Sequence, residues 1–177
     1  MLARTLAIAT VALLALAGCT TETPTPAPVP TTTPSATILN PDLVPQALPL
    51  ITEETVSVEA SRLADALQAL VGDELVTGAA DEAQVFPSAD DLPPYYGLQR
   101  VLTIDPSYDN VTLAQTVTAV LEQSGWTLYQ ASDEGGVSLA ALSGGPVDTP
   151  WFLILEGKVL DGVSTITFSL ASPDLAA

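Results

Sequence analysis

Carboxylates make up most of the chemistry available to this chain. Its 177 residues hold 21 Asp and Glu against four Lys and Arg, no histidine and one cysteine, for a formal charge of −17. Without imidazole there is no base for a Ser-His-Asp or Cys-His nucleophile, and metal sites built on imidazole are excluded. A single cysteine rules out an intrachain disulfide and a thiolate cluster. Adjacent acids stand at Glu53-Glu54, Asp73-Glu74, Asp81-Glu82, Asp90-Asp91 and Asp133-Glu134. Two carboxylates flanking a cleft would suit glycoside hydrolysis. These pairs fall in predicted loops and at element ends, where solvated charge is their ordinary role. A Ser-Lys dyad fails as well, because no Ser-x-x-Lys spacing leads to Lys158. Asp105-Pro106-Ser107-Tyr108-Asp109 sets oxygens at alternate positions, as a calcium loop does. Asn110 stands where that loop needs glycine, and Thr116 where it needs a bidentate Glu. A strand end followed by a helix cap accounts for the same residues. The reading is of a non-enzyme with no catalytic residue, no metal site and no dissociable cofactor.

For recognition, Pro93-Pro94-Tyr95-Tyr96-Gly97 puts two tyrosines on a proline-stiffened loop. Rigid amphipathic area of this kind suits partner binding, so Tyr95 and Tyr96 are the candidate partner-binding residues. The plainer role is a loop lid with one tyrosine filling the sheet edge. Arg100 could meet an anionic ligand or pair with one of the many acids. Trp126 and Trp151 read as packing residues. The acidic balance repels phosphate, which argues against nucleic acid and against direct adsorption to anionic lipid.

Cys19 is the exception among these residues. Met1-Leu2-Ala3-Arg4 gives a positive start, and Thr5 to Ala17 is an uncharged, largely apolar run. It is short of the roughly 20 residues that span a bilayer and matches a secretory signal peptide. Leu16-Ala17-Gly18-Cys19 resembles a bacterial lipobox. Small residues before the cut admit the backbone to a peptidase, between Gly18 and Cys19, and the Cys19 sulfur accepts diacylglycerol. The alternative is an ordinary signal peptide with a chance cysteine, or an uncleaved anchor. Two or three acyl chains would hold the protein to the membrane far more firmly than one.

The elements follow from pattern. Residues 1–18 form the signal peptide, and 19–48 the lipidated cysteine and a tether. Between Thr20 and Thr37 there are eight Thr and five Pro in 18 residues. Proline removes amide donors, and no hydrophobic period is present, so a semi-rigid spacer of about 3.1 Å per residue is expected. Residues 49–177 read as one domain, of ordinary size for a single core.

Within it, Leu63, Leu67, Leu70 and Val71 form a helical stripe over Ser57–Val71, stopped by Gly72. Leu113, Val117, Val120 and Leu121 form another over Val111–Ser124, capped by Asp109 or Asn110 and ended by Gly125. Strands are predicted at Leu98–Ile104, Trp126–Ser132, Val137–Ser143, Trp151–Leu160 and Val163–Ala171. Residues 74–97 lack pattern and read as loop with a short turn of helix.

Asp161-Gly162 between two strand-like runs signals a two-residue hairpin. That turn sets Leu155 opposite Phe168, Leu153 opposite Leu170 and Gly157 opposite Ile166 on one face. The other face receives Glu156 with Thr167 and Lys158 with Thr165. The expected fold is α+β, in the order α-β-α-β-β-β-β, an antiparallel meander with both helices packed on one face.

The lipobox Leu16–Cys19, the Thr/Pro stalk and the passage Val120-Leu121-Glu122-Gln123-Ser124-Gly125-Trp126 together resemble the small lipoproteins of actinobacteria. In those proteins the C-terminal half often has a helix ending in Gly-Trp before an antiparallel sheet. The resemblance implies an address: lipid-anchored at the cell membrane, facing the extracytoplasmic side. Two functions are compatible with it. One is a non-catalytic binding or accessory module of the cell envelope, with the membrane as partner through the lipid and an envelope protein or glycan as ligand. The other is a carrier of a small apolar ligand between helices and sheet.

Overall fold

The computed structural model describes residues 40–87 and 93–176. The signal peptide, the cleavage site Gly18-Cys19 with its lipidation, the tether as far as residue 39 and Asp90-Asp91 lie outside the described residues. None of the described helices is long and apolar enough to cross a membrane.

Helix α1 spans Glu53–Val71. Thr52 and Thr55 exchange side chain-to-backbone hydrogen bonds at its start, which satisfies two of the amides a helix leaves free there. It ends at Gly72, whose φ of 104° lies where a side chain would be strained. Val56, Ala60, Leu63, Ala64, Leu67 and Val71 are buried along one stripe. Helix α2 spans Asn110–Gln123, with the Asp109 carboxylate accepting from the Val111 and Thr112 amides. Its buried stripe is Ala114, Val117 and Leu121.

Six strands complete the α+β fold: β1 (Val76–Phe86), β2 (Tyr95–Ile104), β3 (Thr127–Glu134), β4 (Val137–Gly144), β5 (Trp151–Leu160) and β6 (Val163–Asp174). They form one antiparallel sheet in the order β1-β2-β6-β5-β4-β3. Strands β3 to β6 are a meander, and the β1–β2 hairpin joins it along β6. The β5–β6 register is the one the Asp-Gly turn dictates, with Leu155 opposite Phe168 and Lys158 opposite Thr165. Asp161 and Gly162 both have positive φ, 53° and 80°, the twist a two-residue hairpin requires. The helices cover one face, α1 across β2 and β6, α2 across β4 and β5. Leu98, Leu102, Leu142, Leu153, Leu155, Ile166, Phe168 and Leu170 meet the helix stripes there.

Two parts of the chain depart from the expected pattern. Residues 76–86, read as loop, are an eleven-residue strand, and the helical turn expected beside it is the 3-10 turn Asp73–Leu75. As an edge strand exposed along most of its length, β1 has no buried face to impose alternation, and Gly78, Ala79, Ala80, Asp81 and Glu82 have low strand propensity. Backbone pairing with β2 makes it a strand.

Residues 40–48, assigned by composition to the tether, pack on the domain. Pro41–Leu43 is a 3-10 turn, and Leu43 is only 1% exposed. Burying that side chain contributes about 1.5–3 kcal/mol. The Trp126 indole nitrogen donates to the Leu43 carbonyl at 2.8 Å. Glu59 on α1 accepts from the Gln46 amide, while Arg62 donates to the Asp42 and Val44 carbonyls.

Candidate functional site

The sheet face away from the helices carries a groove of about 320 Å³. The pairing registers generate it. One row across the sheet reads Gln84, Gly97, Ala171, Phe152, and the next reads Glu82, Gln99, Ser169, Ile154. Gly97, Ala171 and Ser169 in the central strands therefore lie between larger residues on β1 and β5. One wall is Phe86 stacked on Tyr95, with ring centroids 4.8 Å apart and planes 12° from parallel. The other is Phe152 and Ile154, 47% and 48% exposed.

Gly97 shapes the floor. A Cβ there would lie 2.5 Å from Phe86 Cε2, so the absence of a side chain lets the Phe86 ring lean across the sheet. The polar groups at the groove are Glu82, Gln84, Gln99 and Ser169, with Gln99 donating to the Ser169 hydroxyl at 3.2 Å. An apolar trough with a few amides and hydroxyls suits a neutral ligand that offers carbonyls or hydroxyls along an apolar body.

Tyr95 and Tyr96 are strand residues rather than loop residues, and strand alternation sends them to opposite faces. Tyr95 lines the groove. Tyr96 is half-buried on the helix side, its amide donating to the Ser172 hydroxyl. Burial raises the Tyr96 phenol pKa, and the Glu53 and Asp81 carboxylates push the same way.

Arg100 also lies on the helix side, where its guanidinium donates to both Asp81 oxygens and to Asp65, each at 2.7 Å. These contacts raise its pKa further. It ties the edge strand to β2 and α1, and its donors are taken up by acids. Lys158 pairs with Glu156 at 2.6 Å. Trp126 and Trp151 are both core residues.

The acids of the calcium-like stretch serve local structure. Asp105 accepts from the Ser107 amide and hydroxyl, and Asp109 caps α2. Both carboxyls are held below the ordinary range by those hydrogen bonds, Ser107 and Thr112 being the main partners. Among the described residues no group of three or more acids, cysteines or histidines gathers as a metal site would. A smaller cleft of about 240 Å³ lies between α2 and strands β3 and β4, with Gln115, Glu122 and Asp133 among its lining.

Phe86, Phe152, Ile154 and Gly97 are the groove residues that sequence reasoning missed. A signal for two of them was present. Continuing the β5–β6 register puts Phe152 and Ile154 on the face that carries Glu156 and Lys158. Two large apolar side chains on a polar face are an anomaly that marks a surface in use. Phe86 gave no such signal, because its strand was not recognisable.

No protein-family model matches the chain, and no curated protein sequence is significantly similar to it. Two solved structures resemble parts of it. A Pseudomonas aeruginosa protein of unknown function, PA94, is 15% identical, with 55% of this chain and 71% of that one aligned at a TM-score of 0.38. LpqN of Mycobacterium tuberculosis, involved in cell envelope biogenesis, is 15% identical, with 58% and 75% aligned at a TM-score of 0.29. Neither carries residue roles over to this chain.

Proposed function

We propose that this protein is a membrane-anchored extracytoplasmic lipoprotein, held through diacylglycerol on Cys19, that serves the cell envelope as a non-catalytic binding module. The groove on the open face of the sheet is its recognition surface, and an envelope protein or glycan is its partner. The observation that carries this reading is the pairing of a stacked Phe86–Tyr95 wall with half-exposed Phe152 and Ile154 across a floor of small residues. A concave strip walled by aromatic and aliphatic side chains with a few polar groups beside them is the form an interaction site takes. The opposite face supports the same choice over a carrier of ligand between helices and sheet, because the apolar stripes of both helices pack into that space.

Chemical cross-linking of the full lipidated protein in its own envelope tests the proposal. Phe152→Ser should abolish a cross-linked partner that Tyr108→Ser, exposed elsewhere on the molecule, retains. Equal yields from the two variants would overturn the assignment of the groove. Intact mass of the purified protein tests the anchor: a chain beginning at Cys19 with added diacylglycerol is expected, and an unmodified thiol at that position would refute it.

A further inference from the structure

We infer that the groove binds a linear, uncharged glycan, a chain of equatorially linked pyranoses laid across the strands. The inference rests on the reading of the groove as a recognition surface, and it chooses between the two partners named there. The pairing registers carry the groove's row on past Phe152. Ala171 stands opposite Phe152, Phe152 opposite Ser143 and Ser143 opposite Thr127, so one line of neighbours crosses the whole sheet on its open face. Three aromatic rings stand along that line. Phe86 leans over the bare Gly97 of β2, and Phe152 rises from β5. Tyr129, exposed at the bulge of β3, lies 3.1 Å by its hydroxyl from Ser143 Oγ, which fixes it on the same face.

The strand order sets the spacing of the rings. Phe86 over β2 and Phe152 on β5 are two strands apart, about 9.6 Å. Tyr129 leans from β3 back to β4, one to two strands beyond Phe152, or about 5–10 Å. Each step is one to two sugar units of an extended chain. An equatorially linked pyranose has two flat faces of C–H groups and a rim of hydroxyls. Those C–H groups are slightly positive and the face of an aromatic ring is negative, so the sugar stacks flat while its rim reaches polar neighbours. The adjacent row supplies them in Gln99, Ser169 and Gln130. Charge decides against other partners. Among the described residues Glu82 is the one charged group lining the groove, and Lys158 on the same face is paired with Glu156. An anionic polymer would be repelled by the acidic domain, and a basic peptide would find a single carboxylate. An apolar protein segment would take water from the Gln84 and Gln99 amides without replacing its hydrogen bonds.

The test is calorimetric titration of the full-length protein, purified from membranes in detergent, with cellohexaose and with N-acetylchitohexaose. At least one should bind saturably, and with little change between low and physiological ionic strength, because no ion pair is formed. Maltohexaose, whose chain curves away from a flat row of rings, should bind at least about tenfold more weakly. Phe152→Ala and Tyr129→Ala should each weaken the better hexasaccharide about tenfold, and Tyr129→Phe, which restores the ring, should recover most of that loss. Tyr108→Ala, exposed elsewhere, should bind as the wild type does. Binding of neither straight hexasaccharide, equal binding of maltohexaose, or equal affinities in Phe152→Ala and Tyr108→Ala would each overturn the inference. So would a protein cross-linked through Phe152 whose yield both hexasaccharides leave unchanged. In that case the comparison of Phe152→Ser with Tyr108→Ser would keep the recognition surface, and the glycan alone would fall.

Discussion

At the residue scale, Arg100 shows how the acidic composition is put to structural use. Its side chain is 11% exposed and holds Asp81 of the edge strand and Asp65 of α1. Hydrogen bonds from Arg100 hold the Asp81 carboxyl below the ordinary carboxylate range. A depressed folded-state pKa adds stability above the unfolded pKa, and that stability is lost as pH falls through the folded value. Arg100 stays protonated throughout, so Asp81 sets the window, at about pH 4 and below. Asp81 is 43% exposed, which limits its worth to roughly 1 kcal/mol or less. Between pH 5 and 3 the urea midpoint of the wild type should therefore fall further than that of Asp81→Asn. Parallel falls would exclude the pair as the source. Gly157 gives a second prediction. A Cβ there would sit 2.6 Å from the Asn110 carbonyl oxygen and 2.8 Å from Ala114 Cβ, so α2 can lie close on β5 only with glycine beneath it. Gly157→Ala should cost about 1–3 kcal/mol by overpacking. Gly78→Ala, whose Cβ would meet only Thr103 at 3.7 Å, should change the urea midpoint little. Equal effects of the two would refute the close-approach account.

At the element scale, the root of the tether depends on one ion pair. Glu59 has a side chain 5% exposed and is bound by two Arg62 nitrogens, at 2.8 and 2.6 Å. The same pair grips the backbone of residues 42–46. Arg62→Met leaves a buried carboxylate uncompensated, a change that typically costs about 3–5 kcal/mol. Limited proteolysis should then cut between residues 40 and 48 at protease levels the wild type resists; unchanged resistance would show that Leu43 alone holds the segment. This clamp also explains what the sequence could and could not reveal. The helices were legible because each has a buried stripe and a glycine stop, and α2 a cap; α1 starts at Glu53 behind its Thr52 cap, four residues before the expected Ser57. The β5–β6 pairing was legible because Asp161-Gly162 admits one register. Residues 40–48 look like tether by composition, and contacts made 13 to 83 positions away, by Glu59, Arg62 and Trp126, turn them into structure. Strand β1 is held by its partner in the same way. The groove has one wall on that unrecognised strand, and its floor is defined by cross-strand neighbours that no local pattern encodes.

At the scale of the whole molecule, charge is the dominant unsatisfied term. Residues 49–177 contain 19 acids and three bases. All three bases are paired, Arg62 with Glu59, Arg100 with Asp65 and Asp81, and Lys158 with Glu156. Among the described residues the other acids have no basic partner within ion-pair distance, and self-repulsion of this kind opposes the compact state. Salt screens both the repulsion and the four attractions, so the balance decides the sign. The repulsive pairs are more numerous and act over longer distances, and the Debye length falls from about 30 Å at 0.01 M to about 8 Å at 0.15 M. The ion pairs at 2.6–2.7 Å lie well inside either length and lose little. Raising ionic strength over that range should therefore raise the melting temperature, and Arg100→Met should keep that direction while lowering the starting value. A melting temperature that falls with salt would mean that the few close pairs outweigh the many distant repulsions. The acidic surface would then be a source of stability rather than a cost that the apolar core offsets.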